Sequence, residues 1–271
     1  MKIPHETGRA RSGELSIFYR RLGKRGEIPL LIVHGLSYFS WDWLEVAQVL
    51  GTEREVACMD MRGFGDSDWS PAKDYSVPAM GGDIVNVLAH LGWKRALLAG
   101  HSMGARSTTY VAARHPELAA GLVLVDYTPE NAPAGAKRVT EIVAHTPDRF
   151  ASVEDAMRYF GQDNRERFAS YLTADLRLRR DPHFRDQFRK VLATGERPKL
   201  GVDMWSLIGE VRCPILSLRG RRSDLYAAAT AAKMKAANPR LEVVEVDAGH
   251  NIAGDNPEGF VQAVKKWESK L

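Results

Sequence analysis

The stretch Leu97-Leu98-Ala99-Gly100-His101-Ser102-Met103-Gly104-Ala105 constrains this chain more than any other. It joins an apolar run to a helix-forming one through a single serine between two glycines, in the spacing G-x-S-x-G. So sharp a change of direction demands tight, strained backbone, which glycine tolerates and which a crowded side chain would block. The apolar residues before it suit a buried strand, and Ala105–His115 suits a helix. The pattern therefore predicts a strand–turn–helix unit that lifts the Ser102 hydroxyl to the edge of a sheet.

Similar units recur along the chain. Apolar runs at Leu15–Arg20, Pro29–His34, Glu55–Met59, Arg95–Ala99 and Gly121–Val125 alternate with amphipathic segments such as Asp83–Leu91, the signature of a mostly parallel sheet covered by helices. Gly121-Leu122-Val123-Leu124-Val125 is continuously apolar, as expected of a strand buried on both faces. From Thr128 to Gly209 the pattern changes to Arg, Asp, Glu, Ala and Phe, with short amphipathic helices expected at Val153–Phe160 and Phe184–Leu192. The strand pattern resumes at Pro214–Arg219 and Leu241–Val246, and a helix from Pro257 to about Lys270 closes the chain. One α/β core, residues 1–127 and 210–271, is thus interrupted by a helical insertion at 128–209.

Composition narrows the function classes. A hydrophobic fraction of 44% over 271 residues supports a full core, and a net charge of +4 is spread among interleaved acids and bases. No basic run with interleaved aromatics is present, so nucleic-acid binding is not expected. Met1–Arg11 lacks an apolar leader core, and no apolar stretch is long enough to cross a bilayer. Cys58 and Cys213 each lie in an apolar strand-like run, as buried thiols of a reducing compartment would. A cytoplasmic protein with no membrane partner is expected.

A serine hydroxyl needs a base to take its proton, and the base needs a partner that fixes its tautomer. His250, in the loop Asp247-Ala248-Gly249-His250-Asn251 after a predicted strand, is the candidate base. Two aspartates follow strands at the same sheet edge: Asp126 after Gly121–Val125 and Asp224 after Pro214–Arg219, and either preserves the order Ser, Asp, His. Backbone N–H groups of Met103, next to the serine, and of Leu36, after His34-Gly35, are candidate donors to a developing oxyanion. Asp60-Met61-Arg62-Gly63-Phe64-Gly65-Asp66-Ser67 lacks the G-x-G-x-x-G or Walker spacing of a phosphate site, so its glycines are expected to shape a turn. No His, Cys, Asp or Glu cluster has metal-ligand spacing, and a reaction without cofactor or metal is expected.

Taken together, these motifs resemble the α/β-hydrolase superfamily, in the branch with a helical cap inserted after the sixth strand. The resemblance rests on His34-Gly35, on Asp60-x-Arg62-Gly63-x-Gly65-x-Ser67, on Gly100-His101-Ser102-Met103-Gly104, and on Gly249-His250 followed by Asn256-Pro257-Glu258 and Phe260. It implies a central, mostly parallel sheet of about eight strands, with residues 128–209 as the cap over the active site. Most members carry the acid after the seventh strand, at the position held here by Ser223. Others carry it after the sixth, where Asp126 stands, so Asp126 is preferred and Asp224 kept as the alternative.

Serine rather than aspartate at the elbow implies acyl transfer to water, as in an esterase. Amide or carbon–carbon hydrolysis of a carboxylate-bearing metabolite uses the same machinery, and some similar proteins are ligand receptors with a retained triad. A small-molecule substrate with an apolar part is expected. Trp41 and Trp43, with Phe39, are candidate walls of its pocket, and Arg177, Arg179 and Arg180 offer a basic cluster in the expected cap, more simply read as a solvated helix face.

Overall fold

A computed structural model describes residues 3–198 and 200–270. In chain order the elements are β1 (Glu6–Ser12), β2 (Leu15–Gly23), β3 (Leu30–Val33), α1 (Leu44–Leu50), β4 (Glu55–Met59), α2 (Val77–His90), β5 (Ala96–His101), α3 (Met103–Arg114) and β6 (Ala119–Val125). There follow α4 (Pro133–His145), α5 (Val153–Phe160), α6 (Arg165–Tyr171), α7 (Pro182–Thr194) and α8 (Met204–Glu210). The chain then returns to β7 (Ile215–Gly220), α9 (Ala228–Ala237), β8 (Leu241–Val246), α10 (Ile252–Asp255) and α11 (Pro257–Glu268).

The strands form a single eight-stranded sheet in the order β1-β2-β4-β3-β5-β6-β7-β8. β1 and β2 pair antiparallel, β2 meets β4 antiparallel, and every pairing from β4 to β8 is parallel. Alternate side chains feed two cores. Leu31, Val33, Leu98 and Leu122 face α2 and α3, whereas Leu30, Ile32, Leu97 and Val123 belong to the core shared with α1 and α11. Helices cover both faces, which is why the central strands read as unbroken apolar runs.

Two elements differ from the sequence expectation. β1 comes from the polar N-terminal segment: only Ala10 and Ser12 are buried, and a Gly13-Glu14 turn pairs Ser12 with Leu15. An edge strand needs to bury little, so its hydrophobic signal is weak. α2 starts at Val77, capped by Ser76, rather than at Asp83. Gly81 and Gly82 depress local helix propensity there. Gly81 is nonetheless required, because a Cβ on it would lie 2.5 Å from the Tyr110 ring on α3.

The helices α4–α8 all lie between β6 and β7. α4 packs on α7, whereas α8 packs on α3 and α9 of the core, so the boundary expected at 209 falls inside a helix that belongs with the core. The turn at Asp60–Ser67 is the seat of the insertion. Gly63 and Gly65 adopt positive φ, Gly65 N donates to Arg179 O at 2.8 Å, and Asp181 N donates to Gly63 O at 2.8 Å.

Candidate active site

Ser102, His250 and both candidate aspartates follow strands at the carboxyl edge of the sheet, where open α/β sheets bind ligands. Ser102 stands between β5 and α3 with φ 50° and ψ −110°, a conformation costly for any residue but glycine. It is held by its N–H donating to Val125 O at 3.1 Å. Both flanking glycines are sterically required. A Cβ on Gly100 would lie 2.5 Å from Ala105 Cα, and one on Gly104 would lie 2.4 Å from His34 O. The turn is tight because α3 starts almost against β3.

Asp126 follows β6, also at positive φ, and is fully buried. Its Oδ1 accepts from Gly220 N at 2.9 Å, and its Oδ2 accepts from Ser223 Oγ at 2.5 Å and stands 2.6 Å from His250 Nδ1. Of the two candidate aspartates, Asp126 is thus the one in contact with His250. Asp224 turns away and forms a two-pronged pair with Arg138 of α4, at 2.6 and 2.7 Å, which holds its carboxyl below the usual carboxylate range. Ser223 was not singled out as a functional residue by sequence reasoning. It occupies the place where most similar proteins carry the acid, and here its hydroxyl supports the neighbouring strand's acid instead.

With Asp126 as a carboxylate, His250 Nδ1 is the protonated nitrogen and Nε2 carries the free lone pair. Two other histidines brace this geometry. His101 packs against the His250 ring at 4.7 Å and donates from Nε2 to His250 O at 3.0 Å. Burial, reinforced by the neighbouring His250, drives its pKa well below that of a free imidazole, so it is neutral. His34 accepts from Met61 N at 2.9 Å and uses its other nitrogen on Gly35 O at 2.7 Å, which fixes the loop carrying Leu36. Burial lowers its pKa too, against the pull of Asp60.

Leu36, Met103, Ser102 and His250 line one cavity of about 1100 Å³. Among the described residues, the Leu36 and Met103 N–H groups have no protein acceptor. Met103 is the first residue of α3, where intrahelical acceptors do not exist. Tyr38, Val77 and Met80 from the core side, with Phe160, Phe168 and Phe184 from the insertion, form much of the apolar wall.

The expected tryptophan walls are not there. Trp43 is 2% exposed and packs against Phe260 and His101, and neither it, Trp41 nor Phe39 lines the cavity. The first turn after the Leu36 loop directs the Phe39 and Trp43 rings down into the core, and Trp41 is half-buried away from the cavity. The basic cluster is also elsewhere. Arg179 pairs with Asp66 at 2.5 Å, Arg180 is 1% exposed with Nη1 3.4 Å from Ser37 Oγ, Arg177 is on the surface, and none of the three lines the cavity. Arg179 is consumed in seating the insertion on the Asp60–Ser67 turn, whereas the buried Arg180 guanidinium reaches only Ser37, with Nε and Nη2 unpartnered among the described residues.

Comparison with known proteins places the fold in a family. Residues 28–200 match the family described by the alpha/beta hydrolase fold. The N-formylmaleamate deformylase of Pseudomonas putida is 30% identical, with 90% of each chain covered. The 3-hydroxybutyrate-oligomer hydrolase of Cupriavidus necator is 29% identical, with 82% of each covered. The solved structure of E-2-(acetamidomethylene)succinate hydrolase superposes with a TM-score of 0.86 at 24% identity, over 98% of this chain and all of that one. The chain therefore belongs to the α/β-hydrolase family, and it is a hydrolase.

Proposed function

We propose that this protein is a serine hydrolase that cleaves an ester or amide bond of a small molecule through a Ser102–His250–Asp126 triad. The observation that carries the reading is the 2.6 Å contact of His250 Nδ1 with the buried Asp126 carboxylate, beside a strained Ser102 on the same cavity. His250 Nε2 takes the Ser102 proton as Oγ attacks the substrate carbonyl. The Asp126 carboxylate stabilises the resulting imidazolium. The Leu36 and Met103 N–H groups receive the oxyanion, and His250 then returns the proton to the departing oxygen or nitrogen. Water, activated by the same histidine, releases the acyl group from Ser102.

In this reading α4–α7 act as the cap that closes the cavity, and the apolar wall takes the substrate's apolar part. Ester and amide hydrolysis both remain within the proposal, in keeping with relatives named as an oligomer hydrolase and a deformylase. No helix among the described residues is long and apolar enough to cross a membrane. A cytoplasmic setting is proposed from the free, buried thiols Cys58 and Cys213.

The test is covalent labelling with a fluorophosphonate together with hydrolysis of short p-nitrophenyl esters. Wild type is expected to be labelled at Ser102 and to turn over; Ser102→Ala is expected to do neither. Equal turnover by the two proteins, or no labelling and no turnover by wild type, overturns the proposal.

A further inference from the structure

The cavity beside Ser102 contains cations that no acid answers. Arg106 sits one turn into α3, about 6 Å along the helix axis from Ser102, and lines the cavity with Ser102 and Ser107. Arg197, just beyond α7, lines the same space. Other cations in the wall are committed: Arg138 to Asp224 at 2.6 Å, Arg167 to Asp42 at 2.7 Å, Lys73 to Asp181 at 2.9 Å and, more loosely, the exposed Lys137 to Glu141 at 3.9 Å. Acids in the wall are committed as well, Glu130 to Lys233 at 3.1 Å and Asp74 to Ser76 N at 3.0 Å. Among the described residues, Arg106 and Arg197 have no carboxylate within 4.0 Å.

Two neutral donors are also left open nearby. Ser107 Oγ and the Tyr127 hydroxyl are buried, at 1% and 3% exposure, and neither has a hydrogen-bond partner. Ser107 lines the cavity, whereas Tyr127 does not. Burial disfavours the charged guanidinium of Arg106, and Arg197 adds like-charge repulsion. A desolvated, unpaired cation next to unsatisfied donors is costly unless an anion completes the group. A carboxylate would do so, because a guanidinium fork matches its two oxygens and a hydroxyl can take a remaining lone pair.

We propose that Arg106, with Arg197 and Ser107, forms a carboxylate-binding subsite, so that the substrates are small acyl compounds bearing a carboxylate. This deepens the serine-hydrolase proposal and rests on it for the reacting atom. Arg106 and Ser107 lie on the core side of the cavity, on the helix that follows the nucleophile, and Arg197 reaches it from the insertion. The substrate's charge would therefore be anchored chiefly to the helix that begins at the nucleophile.

Two matched ester pairs test it: mono-p-nitrophenyl glutarate against its methyl ester, for a carboxylate on the acyl side, and 4-acetoxybenzoate against its methyl ester, for one on the leaving group. Wild type is expected to favour the carboxylate member of at least one pair by tenfold or more in kcat/KM. Arg106→Gln is expected to remove most of that ratio, mainly through KM, and Arg106→Lys to restore part of it. Calorimetric titration of glutarate into Ser102→Ala, with and without Arg106→Gln, reads the subsite without chemistry. Arg106-dependent glutarate binding supports the subsite even if no ester is cleaved and no fluorophosphonate reacts, an outcome that would sink only the Ser102 chemistry. No preference in either pair, no glutarate binding, or an Arg106→Gln loss equal for both members of each pair overturns the subsite.

Discussion

Replacing Asp126 by asparagine probes the proposed mechanism at its most specific point. The carboxylate accepts from three donors, Gly220 N at Oδ1 and both Ser223 Oγ and His250 Nδ1 at Oδ2. An amide has one oxygen, so one side must become a donor. If the oxygen stayed towards His250, the NH2 group would face the Gly220 N–H, leaving a buried donor unsatisfied at a cost of about 1–3 kcal/mol. If it turned towards Gly220, the NH2 group would face a hydroxyl and an imidazole nitrogen, both of which can accept. The second arrangement leaves no buried backbone N–H unpaired, displacing only the rotatable Ser223 hydroxyl proton, and is expected to win.

Its consequence is a tautomer change. His250 Nδ1 becomes the acceptor, Nε2 carries the proton, and the ring can no longer take a proton from Ser102. The imidazolium also loses its counter-charge. A loss of about 10⁴-fold in kcat is expected, or roughly 5 kcal/mol of transition-state stabilisation. KM for a neutral ester should change little, and nitrogen NMR of His250 should report the proton on Nε2. The contrasting substitution is Asp224→Asn. Its pair with Arg138 is 38–46% exposed, and such solvent-screened pairs contribute about 0–1 kcal/mol, so the expected rate change is within about threefold. A mild effect at Asp126 with a severe one at Asp224, or an unchanged His250 tautomer with a 10⁴-fold loss, would refute this reasoning.

The remaining predictions concern stability. Gly104→Ala would place a methyl group 2.4 Å from His34 O and 2.5 Å from Val33 O, both backbone atoms at the end of a central strand. It should lower the unfolding free energy by about 3 kcal/mol in urea titrations, whereas Gly82→Ala, with nothing within 4 Å, should raise it by about 0.5–1 kcal/mol; equal effects would show the elbow to be looser than drawn. For pH dependence, His34 and His101 have folded pKa values below 6.5. Below that pH the unfolded chain binds protons that the folded one excludes, so stability is retained above pH 6.5 and falls as pH drops through the window beneath it. Urea midpoints of His101→Gln should decline less steeply than wild type, by up to about 1.4 kcal/mol per pH unit, and parallel curves would rule the buried neutral imidazole out.

Local rules explain what was legible in the chain. A G-x-S-x-G turn between an apolar run and a helix needs only neighbouring residues to specify it, and doubly buried strands advertise themselves by continuous apolar runs. The succession of strands and helices along the chain, the helical insertion and the place of Ser102 and His250 after strands follow from such signals, whereas the order of the strands in the sheet does not. β1 was silent because a polar edge strand buries almost nothing.

The sequence by itself determined the fold class, the serine turn with its two glycines, and the expectation of a histidine opposite it. Only the tertiary structure decided which aspartate meets that histidine. Asp126 and Asp224 both follow strands, but the pairing of β6 with β7 puts Gly220 N and Ser223 Oγ around Asp126, while α4 brings Arg138 to Asp224. The pocket walls were likewise beyond sequence reach, since Trp43 and the insertion's phenylalanines differ only in which way the backbone aims them. The unanswered charge of Arg106 belongs to the same class: whether a cation has a partner depends on residues far along the chain, and spacing along a sequence carries no record of that.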